Sequence, residues 1–142
     1  MSGITAADRF EIHELLARYW KTVDEGDLKG FADTFTEDGS LTNYTGTTTG
    51  REALAQWLDD YGPSRAGNRH MSTNTTVTEV DADTATVWSY MVVIAAFEPR
   101  TQTPHVAAYG RFNDTVVRVD GGWLFRERLM DDLALNAIDY PG

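Results

Sequence analysis

The chain contains no cysteine among its 142 residues. That removes disulfides, thiolate metal sites and cysteine nucleophiles together. There is no run of roughly 18 apolar residues, so no segment reads as a membrane-spanning helix. The start, Met1-Ser2-Gly3-Ile4-Thr5, has neither the basic opening nor the apolar stretch of a secretory leader. Positive charge is scarce: 12 Lys and Arg stand against 22 Asp and Glu, for a net charge of −10. Phosphate-bearing partners want clustered Lys and Arg, so nucleic acid and anionic membrane surfaces are not expected. The plain meaning of the charge is solubility, and a cytoplasmic location is the simplest expectation. No G-x-S-x-G elbow and no Gly-rich phosphate loop is present.

What is present is ordinary globular material, 42% hydrophobic and 11% aromatic. This suits a single domain over residues 1–142 with a real core. Thr5 to about Glu25 reads as a helix capped by Thr5 with Asp8, and Ile12, Leu15, Leu16, Tyr19 and Val23 form its buried stripe. Gly26 ends it. Asp27 can cap a short second helix whose apolar face is Leu28, Phe31, Ala32 and Phe35. Thr36-Glu37-Asp38-Gly39 reads as a turn, Ser40–Tyr44 as a short strand and Thr45–Thr48 as a loop. Thr49-Gly50-Arg51-Glu52 reads as the capping box of a third helix with Ala53, Leu54, Trp57 and Leu58 inward, stopped by Gly62-Pro63.

From His70 onward the pattern changes to strands: His70–Val80, Thr84–Phe97, His105–Val119 and Trp123–Met130. Asp81-Ala82-Asp83 and Asp120-Gly121-Gly122 are the turns, and Glu98–Thr103 is a loop. The end, Pro141-Gly142, is expected to fray. Helices followed by long antiparallel strands predict an α+β domain. Trp88, Tyr90, Val92, Phe97, Tyr109, Trp123 and Phe125 make the strands rich in aromatic and apolar positions, and a pocket so lined would suit a mostly apolar small molecule. Since alternate strand residues face opposite ways, the pattern does not say which of them line it.

Several segments carry a family resemblance. They are Ile12-x-x-Leu15-Leu16-Ala17-Arg18-Tyr19, Val23-Asp24-Glu25-Gly26-Asp27, Phe35-x-x-Asp38-Gly39, Gly50-Arg51-Glu52-Ala53-Leu54, Arg69-His70-x-x-x-Asn74, and Tyr109–Arg128 with Asp120-Gly121-Gly122-Trp123-Leu124-Phe125. Together they resemble SnoaL-like proteins of the NTF2-like superfamily over nearly the whole chain. The resemblance implies a cone: three N-terminal helices on a strongly curved, mostly antiparallel sheet that encloses a pocket. It is strongest to the branch holding scytalone dehydratase, hexachlorocyclohexane dehydrochlorinase and bile-acid 7α-dehydratase. That branch implies cofactor-free elimination by an Asp–His dyad, here Asp24 and His70, with Tyr19 and Arg128 (or Arg126) beside them. Tyr44, Trp88, Tyr109 and His105 are the expected substrate-binding residues. Val23 departs from the pattern, since scytalone dehydratase has a tyrosine there. Either Tyr109 or His105 falls near that enzyme's second histidine. The resemblance also implies a homo-oligomer, a dimer or trimer.

The chemistry fits the two lead residues. A carboxylate can orient an imidazole and stabilise its cation, so that the imidazole moves protons near neutral pH. Read without the resemblance, each candidate also has a plainer role. His70 can be a structural strand residue, Asp24 an exposed helix-end carboxylate and Tyr19 a core aromatic. Arg128 can be a surface charge paired with Asp131 or Asp132. His13 reads as a helix-surface residue. His13, His70 and His105 show no metal-ligand spacing, so no metal is expected, and the resemblance implies no other cofactor. The rival expectations are a SnoaL-type cyclase or ketosteroid-isomerase-like isomerase with a lone Asp base, and a non-catalytic binding protein or dioxygenase β-subunit-like partner.

Overall fold

The computed structural model describes residues 3–62, 67–95, 103–137 and 139. Helix α1 (Ala6–Glu25) starts at Thr5, whose hydroxyl accepts the Asp8 N–H while the Asp8 carboxylate accepts the Thr5 N–H. This reciprocal box satisfies two of the N–H groups that a helix start leaves without partners. Gly26 ends the helix at φ 69°, a left-handed conformation that glycine adopts without the clash a Cβ would bring. Ile12, Leu15, Leu16 and Tyr19 form the buried stripe expected from their spacing. The short helix α2 (Leu28–Ala32) follows, with Asp27 accepting the Gly30 N–H as its cap.

Strand β1 (Phe35–Asn43), strand β2 (Gly46–Thr49) and helix α3 (Arg51–Tyr61) come next. Four strands then complete the chain: β3 (Arg69–Asp81), β4 (Thr84–Ala95), β5 (His105–Val119) and β6 (Gly122–Leu135). All six strands make one sheet in the order β2-β1-β6-β5-β4-β3. Every pairing is antiparallel except β1 with β6. Helix α1 packs on β3 and β6, and α3 packs on α2 and β1. Phe112 and Val116 of β5 with Trp123 and Phe125 of β6 join the α1 stripe in one buried cluster.

Some expectations require correction. The segment 36–39 is not a free turn but the irregular start of β1, whose register against β6 shifts between Phe35 and Ser40. Residues Gly46–Thr49 form β2 rather than a loop, paired back on β1. Thr49 is therefore held in a strand and caps nothing; Gly50 is the N-cap of α3, with no side-chain hydrogen bond. Ala53 faces solvent. Two strands thus stand between the second and third helices. Strand β6 also runs on to Leu135, because its second half keeps pairing with β5 as far as Ala108. Phe97, the segment 98–102, Pro63 and Pro141-Gly142 lie outside the described residues.

One electrostatic tie joins the first turn of α1 to the end of β5. Arg118 of β5 donates to Asp8 Oδ1 at 2.8 Å and Oδ2 at 3.2 Å, and the Trp123 indole donates to Oδ1 at 3.1 Å. Arg118 first, then the Thr5 N–H and Trp123, hold the Asp8 carboxyl far below its ordinary value of 3.8. A carboxyl depressed on folding contributes stability above its unfolded value and loses it as pH falls toward the folded one. Asp8→Asn is therefore expected to lower the urea midpoint at neutral pH. The difference from the unchanged protein should shrink progressively as pH drops below about 4.

Candidate active site

The last turn of α1 and the first residues of β3 meet at Asp24 and His70. Asp24 Oδ1 lies 2.6 Å from His70 Nδ1. Its other oxygen, Oδ2, accepts the His70 backbone N–H at 3.2 Å. β3 is an edge strand, so that carboxylate also caps a polar group the sheet does not satisfy. A carboxylate can only accept, so the contact assigns the proton to Nδ1 and leaves Nε2 as the nitrogen with a lone pair. Both side chains are mostly sheltered, 12% exposed for His70 and 18% for Asp24. An acid at a helix C-terminus is opposed by the helix dipole. The imidazole against it offsets that cost, most of all when protonated.

The pair lies in the wall of a cavity of about 270 Å³. Tyr19, Trp20, Phe112, Met130 and Leu133 give it apolar walls, and Tyr44 and Trp57 stand on the α3 side. This is a small, mostly apolar hollow with a few convergent polar groups, as small-molecule sites tend to be. The Tyr19 hydroxyl is buried with its ring, and that burial pushes its pKa up to about 12 against the pull of the Arg128 charge. Tyr19 is thus a neutral hydrogen-bond donor at any ordinary pH.

Arg128 is wholly buried. Its Nε and Nη2 donate to Asp114 at 3.0 and 3.1 Å. Four aromatic rings surround the guanidinium, those of Phe112 and Tyr19 lying 4.0 and 4.3 Å away. Burial pushes the Asp114 carboxyl up, and the Arg128 charge pulls it back. Arg126, the competing arginine, is exposed. The arginine is neither a surface charge nor paired with Asp131 or Asp132. It lies behind the cavity wall, among the rings of Tyr19, Trp20 and Phe112 that line it.

Three expected binding residues fall elsewhere. The burial of β4 alternates so that Val87, Ser89, Met91 and Val93 point inward. Trp88 and Tyr90 therefore share the opposite face, their rings 4.7 Å apart. Tyr109 is 55% exposed beside the inward Ala108. Tyr90 and Val92 follow the same parity and do not face the core. His105 sits at the start of β5 with Nε2 2.8 Å from Asp139 Oδ2. The Thr103 carbonyl and that carboxylate raise its pKa. Tyr44 alone of the four is on the cavity wall. Among the described residues no group of three or more His, Asp or Glu could hold a metal, and no helix is long and apolar enough to cross a membrane.

Trp20 and Asp114 escaped the sequence reading. Trp20 carried a signal, since it lies one helical turn before Asp24. Asp114 carried one too: it is a charge in step with Phe112 and Val116 on an otherwise apolar strand face.

The sequence matches the SnoaL-like domain family over residues 5–129. A Nostoc punctiforme protein of unknown function with a cystatin-like fold is 31% identical, with a TM-score of 0.81; 91% of this chain and 93% of that one align. A Mycobacterium tuberculosis protein of unknown function is 30% identical with a TM-score of 0.80, over 89% of this chain and 72% of that one. A candidate scytalone dehydratase of Novosphingobium aromaticivorans is 25% identical with a TM-score of 0.77, over 92% and 88%. A search of curated proteins finds no match.

Proposed function

The chain belongs to the SnoaL-like domain family, and on that footing we propose that it is a cofactor-independent acid–base enzyme that eliminates water or a similar leaving group from a small apolar substrate. Family membership and the likeness to a candidate scytalone dehydratase support a small-molecule-binding or catalytic role. The observation that carries the finer reading is the 2.6 Å contact of Asp24 with His70 Nδ1 in the cavity wall.

In this reading His70 Nε2 removes a proton from a carbon beside a carbonyl. The C–H electron pair becomes the new C=C bond, and the bond to the hydroxyl on the next carbon breaks. The imidazolium then returns its proton to the departing hydroxide, which leaves as water. Asp24 holds the ring and balances its positive charge in the interval. Tyr19, kept neutral by its burial, hydrogen-bonds the carbonyl oxygen as charge builds there. Arg128 contributes field through the ring stack rather than direct contact. Where the substrate lacks a leaving group, the same proton returns to another carbon and the outcome is isomerisation or cyclisation. The apolar walls suit a ring-bearing or polyketide-like molecule. A curved, cone-shaped enclosure, a single domain over the whole chain, and a homo-oligomer working in the cytoplasm belong to the same proposal.

A panel of cyclic β-hydroxy ketones tests it. The unchanged protein is expected to convert at least one of them to the enone, and His70→Gln, still folded, is expected not to. Equal conversion by both would remove His70 from the chemistry and favour a lone Asp24 base.

A further inference from the structure

Trp20 and His70 stack face to face, with ring centroids 4.8 Å apart and planes 10° from parallel. The indole is itself fixed, because its Nε1 donates to Ser72 Oγ at 2.7 Å. Trp20 and Asp24 are four apart on α1, one turn along the same face. His70 and Ser72 are two apart on β3, on the same side of the strand. Two helix residues and two strand residues are thus cross-linked into a square: Asp24 holds one edge of the imidazole, Trp20 covers its face, and Ser72 anchors Trp20.

Space outside the imidazole makes this anchoring consequential. Trp20, Asp24 and His70 form a partition, with the inner cavity on one side and an outer groove of about 650 Å³ on the other. Arg69, Lys21 and His13 stand along that groove. An imidazole held only by Asp24 could pivot about its Nδ1 contact toward the groove. A ring pinned on its face cannot do so without leaving the stack. The indole face also attracts the imidazolium that forms when the ring takes a proton.

We propose that Trp20, anchored by Ser72, is the positioning residue for His70, fixing the imidazole plane so that Nε2 serves the inner cavity. This rests on the proposed acid–base role of His70, but its structural half can be read without any substrate. The test compares Ser72→Ala, Ser72→Thr and Trp20→Phe with the unchanged protein. Ser72 is half-buried at the strand edge, so its replacement spares the core. The first readout is the NMR signal of the His70 ring, assigned by its loss in His70→Gln. Its upfield ring-current shift from the indole is expected to fall in Ser72→Ala and to be kept in Ser72→Thr, which retains the acceptor. The second readout is deuterium exchange into cyclic ketones. Ser72→Ala and Trp20→Phe are expected to lose roughly 10- to 10²-fold in kcat with little change in KM, the scale of a small misplacement of a reacting group. Ser72→Thr should restore kcat. An unchanged His70 signal in Ser72→Ala, where the indole itself is kept, would overturn the positioning role, and so would a changed signal there with kcat undiminished. A changed signal with no ketone exchange even in the unchanged protein would uphold the positioning and reject the acid–base role instead.

Discussion

Asp24→Ala and His70→Gln are each expected to slow turnover by roughly 10²- to 10⁴-fold, the range that a positioned acid–base group supplies. The double variant should be only slightly worse than the poorer single one. Groups that act as a unit are strongly non-additive, because removing either leaves the other with no task. Asp24 touches His70 through both carboxylate oxygens, so its loss frees the imidazole to take the other tautomer and another orientation. Steady-state rates on a converted hydroxy ketone, with melting temperatures beside them, check this. If the effects of the two changes instead multiplied, Asp24 and His70 would be acting independently. If His70→Gln kept most of the rate while Asp24→Ala lost it, a lone carboxylate base would be the better account.

Arg128→Met is expected to destabilise the fold by about 3–5 kcal/mol, the usual result of removing one partner from a buried pair. The reason is what remains: Asp114, 2% exposed, would keep its charge with no cation against it or take up a proton to lose it. The four-ring cage would also lose the guanidinium that it packs around. Arg128→Met combined with Asp114→Leu should recover much of the loss, since a buried pair exchanged for apolar groups of similar size is often near neutral. Urea unfolding of the two single variants and the double one, treated as a cycle, measures the coupling. Equal stability of Arg128→Met and the unchanged protein would mean that the pair is not buried as described. The double variant, if folded, also separates structure from chemistry: a large drop in its turnover would mark Arg128 as a source of field in the cavity.

Much of this arrangement was legible from local signals. The Thr5–Asp8 box, the α1 stripe and Gly26 are written within one helix, and they appear as expected. β5 spans His105–Val119, the long β-prone run seen in the sequence. The segment 36–39 was misread because Asp and Gly normally signal a turn, whereas here β1 is held by parallel pairing with β6, some 90 residues away. No local pattern reports such a partner. Trp88 and Tyr109 were misplaced for a different reason. β4 and β5 carry large apolar residues on both faces, so composition could not say which parity faces inward. Asp24 and His70 stand out through family resemblance and chemistry, and the structure brings them into contact. Trp20 does not stand out, because a tryptophan on a buried helical stripe looks like core until its stack on His70 is seen.

Deuterium uptake from D₂O at the carbon beside the carbonyl of a bound cyclic ketone measures proton abstraction itself, with no leaving group required. The unchanged protein is expected to catalyse this exchange, and His70→Gln is expected to lose it by roughly 10²-fold or more while its fold is retained. Exchange at the same rate by the two proteins would contradict a proton-transfer role for His70 and leave the Asp24 contact as a structural tie between α1 and β3.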